Sequence, residues 1–170
     1  SSGGAAAALA AGMCFGALGT DTGGSIRIPS AACGTVGLKA TIGEISCEGV
    51  VPLSTSFDHP GPMARTVADV ALLFDALTGR PLRATDPKAP LSGGRLVLGV
   101  PRPYFCDRVD AGTGQALELA CRRLRDAGHT IRDLAIDHAR STPDVYLHIV
   151  LPEASRYHAR LLERYAALYS

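Results

Sequence analysis

Ser25 lies in the run Gly19-Thr20-Asp21-Thr22-Gly23-Gly24-Ser25-Ile26-Arg27, and a second hydroxyl-rich run, Ser1-Ser2-Gly3-Gly4, begins twenty-four residues before it. A serine hydroxyl flanked by glycines suits acyl transfer. Glycines let the backbone approach a substrate and reach positive φ, so successive N–H groups can converge on one oxyanion. Ser25 is then the nucleophile, and the N–H groups of Thr22, Gly23, Gly24 and Ser25 are the oxyanion donors. The rival reading of this run, taken alone, is a glycine-rich turn without chemistry.

The surrounding residues resemble the amidase signature family. The resemblance runs from Ser1-Ser2-Gly3-Gly4 through the Ser25 run to Cys33-Gly34-Thr35-Val36-Gly37-Leu38-Lys39 and Phe57-Asp58-His59-Pro60-Gly61-Pro62. It continues more weakly through Arg65-Thr66-Val67-Ala68-Asp69, Leu98-Gly99-Val100-Pro101 and Pro152-Glu153-Ala154-Ser155-Arg156-Tyr157-His158. It therefore covers nearly the whole chain, with its specific part in residues 1–62. Two positions depart from the pattern: Ala5, where many members carry serine, and Ala40, where the family has proline in Gly-Leu-Lys-Pro-Thr.

The resemblance implies a catalytic set of a nucleophilic serine, a second serine preceded by a cis peptide, and a lysine. It carries the nucleophile onto Ser25 and the bridging serine onto Ser1. The physical logic is sound. A hydroxyl is a poor nucleophile until a base takes its proton. A lysine can do so when burial or nearby positive charge keeps it neutral. A bridging hydroxyl can relay the proton because it both donates and accepts. A helix cap before the alanine run is the structural alternative for Ser1 and Ser2. Asp21 and Arg27 flank the turn and are expected to fix it through an ion pair or hydrogen bonds rather than to take part in catalysis.

The chain has two lysines, Lys39 and Lys88, and neither matches the family's catalytic lysine, which lies well upstream of the bridging serine. A non-proline cis bond costs about 3–4 kcal/mol and needs surrounding structure to hold it, and here no residue precedes Ser1. The expectation is a fragment of a longer amide hydrolase, impaired as it stands, that works through an acyl-Ser25 intermediate. The alternatives are the amidase subunit of a glutamine-dependent tRNA amidotransferase and a non-catalytic truncated chain. In that subfamily glutamine commonly follows Ser-Ile-Arg; Ile28 stands there instead, which favours a general amidase.

Other chemistries fit less well. Arg27 occupies the last glycine place of a G-x-S-x-G elbow. A Ser25–His59–Asp58 triad is available in composition, but adjacent residues rarely serve as base and orienter. His129, His138, His148 and His158 lack metal-ligand spacing, so no metal and no cofactor is expected. Gly34-x-x-Gly37-Leu38-Lys39 lacks a P-loop ending. Ser1 acting as an N-terminal nucleophile, with its own amine as base, is a further alternative. Five cysteines with no C-x-x-C pair read as buried free thiols in a reducing compartment, hence a cytoplasmic protein.

At 170 residues, 46% hydrophobic and 19% charged, the chain is globular, and a net charge of +1 gives no case for a nucleic-acid partner or a membrane surface. Ala5 to Leu18 is too short and too small-sided for a membrane span. The expected partner is a small-molecule amide substrate, with homo-oligomerisation left open.

The elements that must position these groups follow from periodicity and punctuation. Residues 1–4 read as a loop, 5–12 as a helix, 19–29 as the active-site turn and 36–51 as short strands and turns. Thr66-Val67-Ala68-Asp69 forms an acidic capping box for a helix with Val67, Val70, Ala71, Phe74 and Leu77 on one face, stopped by Gly79. Residues 79–94 read as a surface connection. A strand at 95–100, a helix bearing Leu117, Ala120, Cys121 and Leu124 that ends at Gly128, and a strand at 130–136 make a βαβ unit with a parallel pair. Pro143 starts a last helical region that Pro152 is expected to kink or divide. The fold class is α/β, a mixed sheet with flanking helices within a larger amidase signature fold. Residues 1–170 form one partial domain, with a signature core at about 1–80 and the βαβ-containing remainder at about 95–170.

Overall fold

The computed structural model describes residues 1–81 and 94–168; Lys88 and most of the expected surface connection lie outside the described residues. The chain divides into two compact units. One comprises Ser1–Ala89 with Tyr146–Ser170, the other Pro90–Val145.

In the first unit, helix α1 spans Gly3–Ala10. Its alanines favour helix and leave room for close packing, and Ala6 and Leu9, three apart on one face, are fully buried. The helix starts inside the expected loop, and Ser2 sits at its N-cap without making a side-chain cap bond. That hydroxyl is engaged elsewhere, as described below. Strand β1 (Gly16–Thr20) follows, then a turn and helix α2 (Arg27–Cys33). Pro29 falls in the first turn of α2, where its missing N–H is tolerated.

Strands β2 (Val36–Gly37) and β3 (Pro60–Ala64) complete an antiparallel sheet of order β1-β3-β2. All five residues of β3 are buried, although a central strand normally excludes proline. Pairing explains the exception. Leu38 donates its N–H to the Pro62 carbonyl at 3.0 Å, while His59, one residue before β3, accepts from Asp21 on the β1 side. Alternation thus turns Pro60 and Pro62 toward β2, where neither can donate a hydrogen bond. The β2 pairing stops after Val36↔Ala64 and Gly37↔Met63, whereas β1 pairs along all of β3 from Gly16↔Ala64 to Thr20↔Pro60.

Ala6, Leu9, Ile26 and Met63 form the core, with Ala5, Cys14, Ala17 and Cys33 packed against it. Burying each of the larger three side chains contributes about 1.5–3 kcal/mol. Ile26 directly follows Ser25, so this core sits immediately beneath the turn that carries Ser25.

Helix α3 (Val67–Thr78) has the expected capping box: the Thr66 hydroxyl accepts the Asp69 N–H at 3.1 Å and donates to its carboxylate at 2.7 Å. Gly79 ends it at φ 66°. The inward face is rotated from the expected one. Val70 is buried, Leu73 packs on Gly16, and Val67 is 72% exposed.

In the second unit, strand β4 (Val97–Pro101), helix α4 (Ala111–Asp126) and strand β5 (Thr130–Leu134) form the expected βαβ unit, with β4 and β5 parallel. Asp110 caps α4 by accepting the Thr113 N–H at 3.0 Å. Arg102, just past β4, bonds Glu118 of α4 at 2.5 Å and Asp133 of β5 at 2.7 Å. The architecture is therefore α/β, with antiparallel and parallel strands in separate sheets. Of the expected α4 face, only Cys121 is buried.

Helix α5 (Thr142–Tyr165) runs unbroken through Pro152, contrary to the expected division. A proline removes only one intrahelical bond, and the next residue, Glu153, is fastened by hydrogen bonds to Ser54 and Ser56. The cysteines are free, but only Cys121 is buried; Cys47 is exposed and the others are half-buried. Among the described residues no helix is long and apolar enough to cross a membrane.

Candidate active site

The loop from Asp21 to Ile26 leaves the sheet at the end of β1 and enters α2. Asp21 is fully buried, which by itself would raise its carboxyl pKa. The Arg27 side chain and the backbone N–H groups of Arg27 and Ile26 outweigh that effect and hold it at about 2. Arg27 Nη2 and Nε each lie 3.0 Å from the carboxylate, and the two N–H groups donate to it at 3.3 and 3.2 Å. Lys39 Nζ adds a second cation at 3.6 Å. The expected ion pair is present, and Lys39 is committed to it.

The next residue is held from the opposite side. Thr22 Oγ1 donates to Asp58 Oδ1 at 2.5 Å, and Asp58 Oδ2 accepts the N–H groups of Leu53 and Ser54 at 2.8 and 3.0 Å. Asp58 therefore bonds to Thr22 and its own loop, while His59 Nδ1 faces the Phe57 carbonyl at 2.5 Å; the two do not form the acid–base couple of a triad.

Gly24 has φ 136°, a conformation that side chains rarely adopt and that this turn requires. At Gly23 the constraint is space: a Cβ there would lie 2.6 Å from Tyr146 Oη. Ser25 is half-buried at the top of the turn. Among the described residues, none of the N–H groups of Thr22, Gly23, Gly24 and Ser25 donates to another group of the chain.

Ser2, not Ser1, makes the direct contacts with this turn. The Ser2 N–H donates to the Ser25 carbonyl at 2.9 Å. Its hydroxyl accepts the Thr20 N–H at 3.2 Å and donates to the Thr20 carbonyl at 3.3 Å. Ser1 is exposed and adjoins this contact.

Three features escaped sequence reasoning. The Thr22–Asp58 bond joins residues 36 apart and leaves no periodic trace. Tyr146 lies on α5, with its ring 5.9 Å from that of Phe57. Glu153 accepts from Ser54 Oγ and Ser56 Oγ at 2.5 Å each and from the Ser56 N–H at 3.1 Å, bonds that hold its pKa at about 2. Its place in Pro152-Glu153-Ala154-Ser155 was visible, but its partners were not. Burial and the Asp58 carboxylate push the Cys47 thiol up, which argues against a thiolate nucleophile there. No group of three or more His, Cys, Asp or Glu among the described residues is arranged to hold a metal ion.

Comparison with known proteins adds to this geometry. The family model described as Amidase matches residues 1–169. The A-type subunit of the glutamyl-tRNA(Gln) amidotransferase of Myxococcus xanthus is 44% identical over 170 residues, covering 94% of this chain and 35% of that protein. An amidase of Pseudomonas putida is 41% identical over 175 residues, covering 96% and 38%. A crystal structure of an amidase superposes with a TM-score of 0.86 at 36% identity, covering 100% of this chain and 38% of the other. The chain thus spans little more than a third of the length of these relatives.

Proposed function

This chain belongs to the Amidase family, and from that premise we propose that it supplies the nucleophile and oxyanion donors for hydrolysis of a carboxylic amide. Ser25 Oγ attacks the amide carbon, and the carbonyl oxygen, now negative, is received by the N–H groups of Thr22, Gly23, Gly24 and Ser25. Collapse of this intermediate breaks the C–N bond and leaves an acyl ester on Ser25 as the amine departs with a proton. Water then attacks the ester and regenerates the serine. Ser1 relays the Ser25 proton to a lysine outside this segment, since Lys39 is engaged with Asp21. The observation that carries the reading is a run of four consecutive N–H groups, unpaired among the described residues, that ends at a half-buried serine.

The substrate is a small amide, the setting is cytoplasmic, and no cofactor is needed. A second reading is favoured by the several amidotransferase A-type subunits among the relatives, such as that of Myxococcus xanthus. On that reading the amide is glutamine, and the released ammonia passes to a partner protein. Ammonia release from simple amides without any partner supports the general amidase; release from glutamine only when a partner is added supports the other.

The nucleophile is tested with a serine-reactive fluorophosphonate on the protein carrying this sequence at its natural length, followed by peptide mass spectrometry. Labelling at Ser25 that disappears in Ser25→Ala supports the assignment. Labelling at Ser1 alone overturns it, and no labelling of folded protein favours a non-catalytic chain.

A further inference from the structure

We propose that Asp58 is a positioning residue for the oxyanion loop, acting through the Thr22 hydroxyl, and that Glu153 holds Asp58's own loop in place from α5. This rests on the reading of Ser25 and its neighbouring N–H groups given above.

Thr22 and Asp58 are both buried, and the Thr22 hydroxyl has one proton, which goes to Asp58 Oδ1. Thr22 can therefore serve an oxyanion only through its backbone N–H, and the side-chain bond sets where that N–H points. The other Asp58 oxygen accepts from Leu53 and Ser54, so one carboxylate joins two loops. A second bond runs alongside, from the Asp21 N–H to the His59 carbonyl at 2.8 Å. Consecutive residues 21 and 22 are thus held by consecutive residues 59 and 58.

The supporting loop is itself anchored. Both Glu153 oxygens are engaged by Ser54 and Ser56, and Tyr146, seven residues earlier on the same helix, lies against Gly23 and close to Phe57. Helix α5 therefore reaches the oxyanion loop directly through Tyr146 and indirectly through Glu153, residues 54–58 and Thr22. The purpose of such support follows from the chemistry. Oxyanion donors stabilise the transition state only when fixed before charge develops, and small misplacements are expensive in rate.

The test uses Thr22→Val, which keeps shape and backbone N–H but removes the hydroxyl, and Thr22→Ser, which keeps the hydroxyl. In the natural-length protein, Thr22→Val is expected to lower kcat about 10–100-fold with KM changed less than about threefold. Thr22→Ser should restore kcat to within about threefold of the parent. Asp58→Asn should reproduce the Thr22→Val loss, and the double variant should lose little more, since both break one connection. Glu153→Gln is expected to give a smaller loss, about two- to tenfold, in kcat.

Wild-type kcat in folded Thr22→Val, or fully additive losses in the double variant, would overturn the proposal. If Thr22→Val does not fold, Glu153→Gln decides: an unchanged kcat, or a rise in KM alone, counts against it. Fluorophosphonate labelling separates the two layers of inference. No label on Ser25 in the parent protein sinks the nucleophile reading itself, whereas labelling of Thr22→Val at the parent's rate sinks only the positioning role.

Discussion

The Ser25 loop and the βαβ unit are built on opposite plans. Around the loop, Asp21, Thr22, Ser54 and Asp58 are buried polar residues, each bonded through its side chain, and every residue of β3 is buried. In the βαβ unit no residue of β4 or β5 is buried, Val97 is 63% exposed, and the charges of Arg102, Glu118 and Asp133 pair at the surface. Buried bonds fix a geometry because breaking one leaves a desolvated group unmatched. Surface pairs tie elements together at little energetic consequence. Fixation by buried polar bonds is therefore concentrated in one region, and pairing of exposed charges in the other.

Asp21→Asn strikes at the first plan and should have the largest effect. It removes the charge that Arg27 and Lys39 share, and kcat of the natural-length protein should fall about 100-fold, as when an oxyanion donor is lost. Steady-state kinetics beside a fold check would measure it; a loss below twofold would mean the loop does not depend on this pair.

Core truncation sharpens the contrast in stability. Met63→Ala beneath the turn should cost about 2–5 kcal/mol by denaturant titration. Cys121→Ala, at the buried position of α4, should cost nearer 1 kcal/mol. Equal losses would erase the distinction between the regions.

The smallest effect is a pH dependence. Asp21 and Glu153 are both held at about 2, below their ordinary values of 3.8 and 4.5. Depressed carboxyls contribute fully above the unfolded values, and that contribution is lost as pH falls toward 2. Thermal melts should therefore be flat in this respect above about pH 5 and decline between about pH 4.5 and 2, less steeply in Glu153→Gln. An unchanged slope in that variant would remove Glu153 from the anchoring scheme.

Local chemistry was legible and long-range chemistry was not. The Thr66–Asp69 box, the Gly79 stop and the βαβ order each rest on residues close in sequence, and each appears in the fold. Strand β3 was hidden by its prolines, which ordinarily argue against a central strand. The extent of α5 was hidden by Pro152, because the Glu153 bonds that steady it come from residues nearly a hundred positions away. The Ser25 run was readable from its glycines. Its anchorage to Asp58 depends on how β1 and β3 pair, which periodicity does not report.

The two prolines of β3 also act as a key. A one-residue slip of β3 against β1 would turn the strand over. Pro60 and Pro62 would then face β1, where each would forfeit a hydrogen bond that the native alignment does not ask of it. Thr20 would lose its place opposite Pro60, and Asp21, the first residue of the loop, would start from the wrong point. The alignment of the whole Ser25 turn is thus protected by two prolines, through bonds they are unable to make.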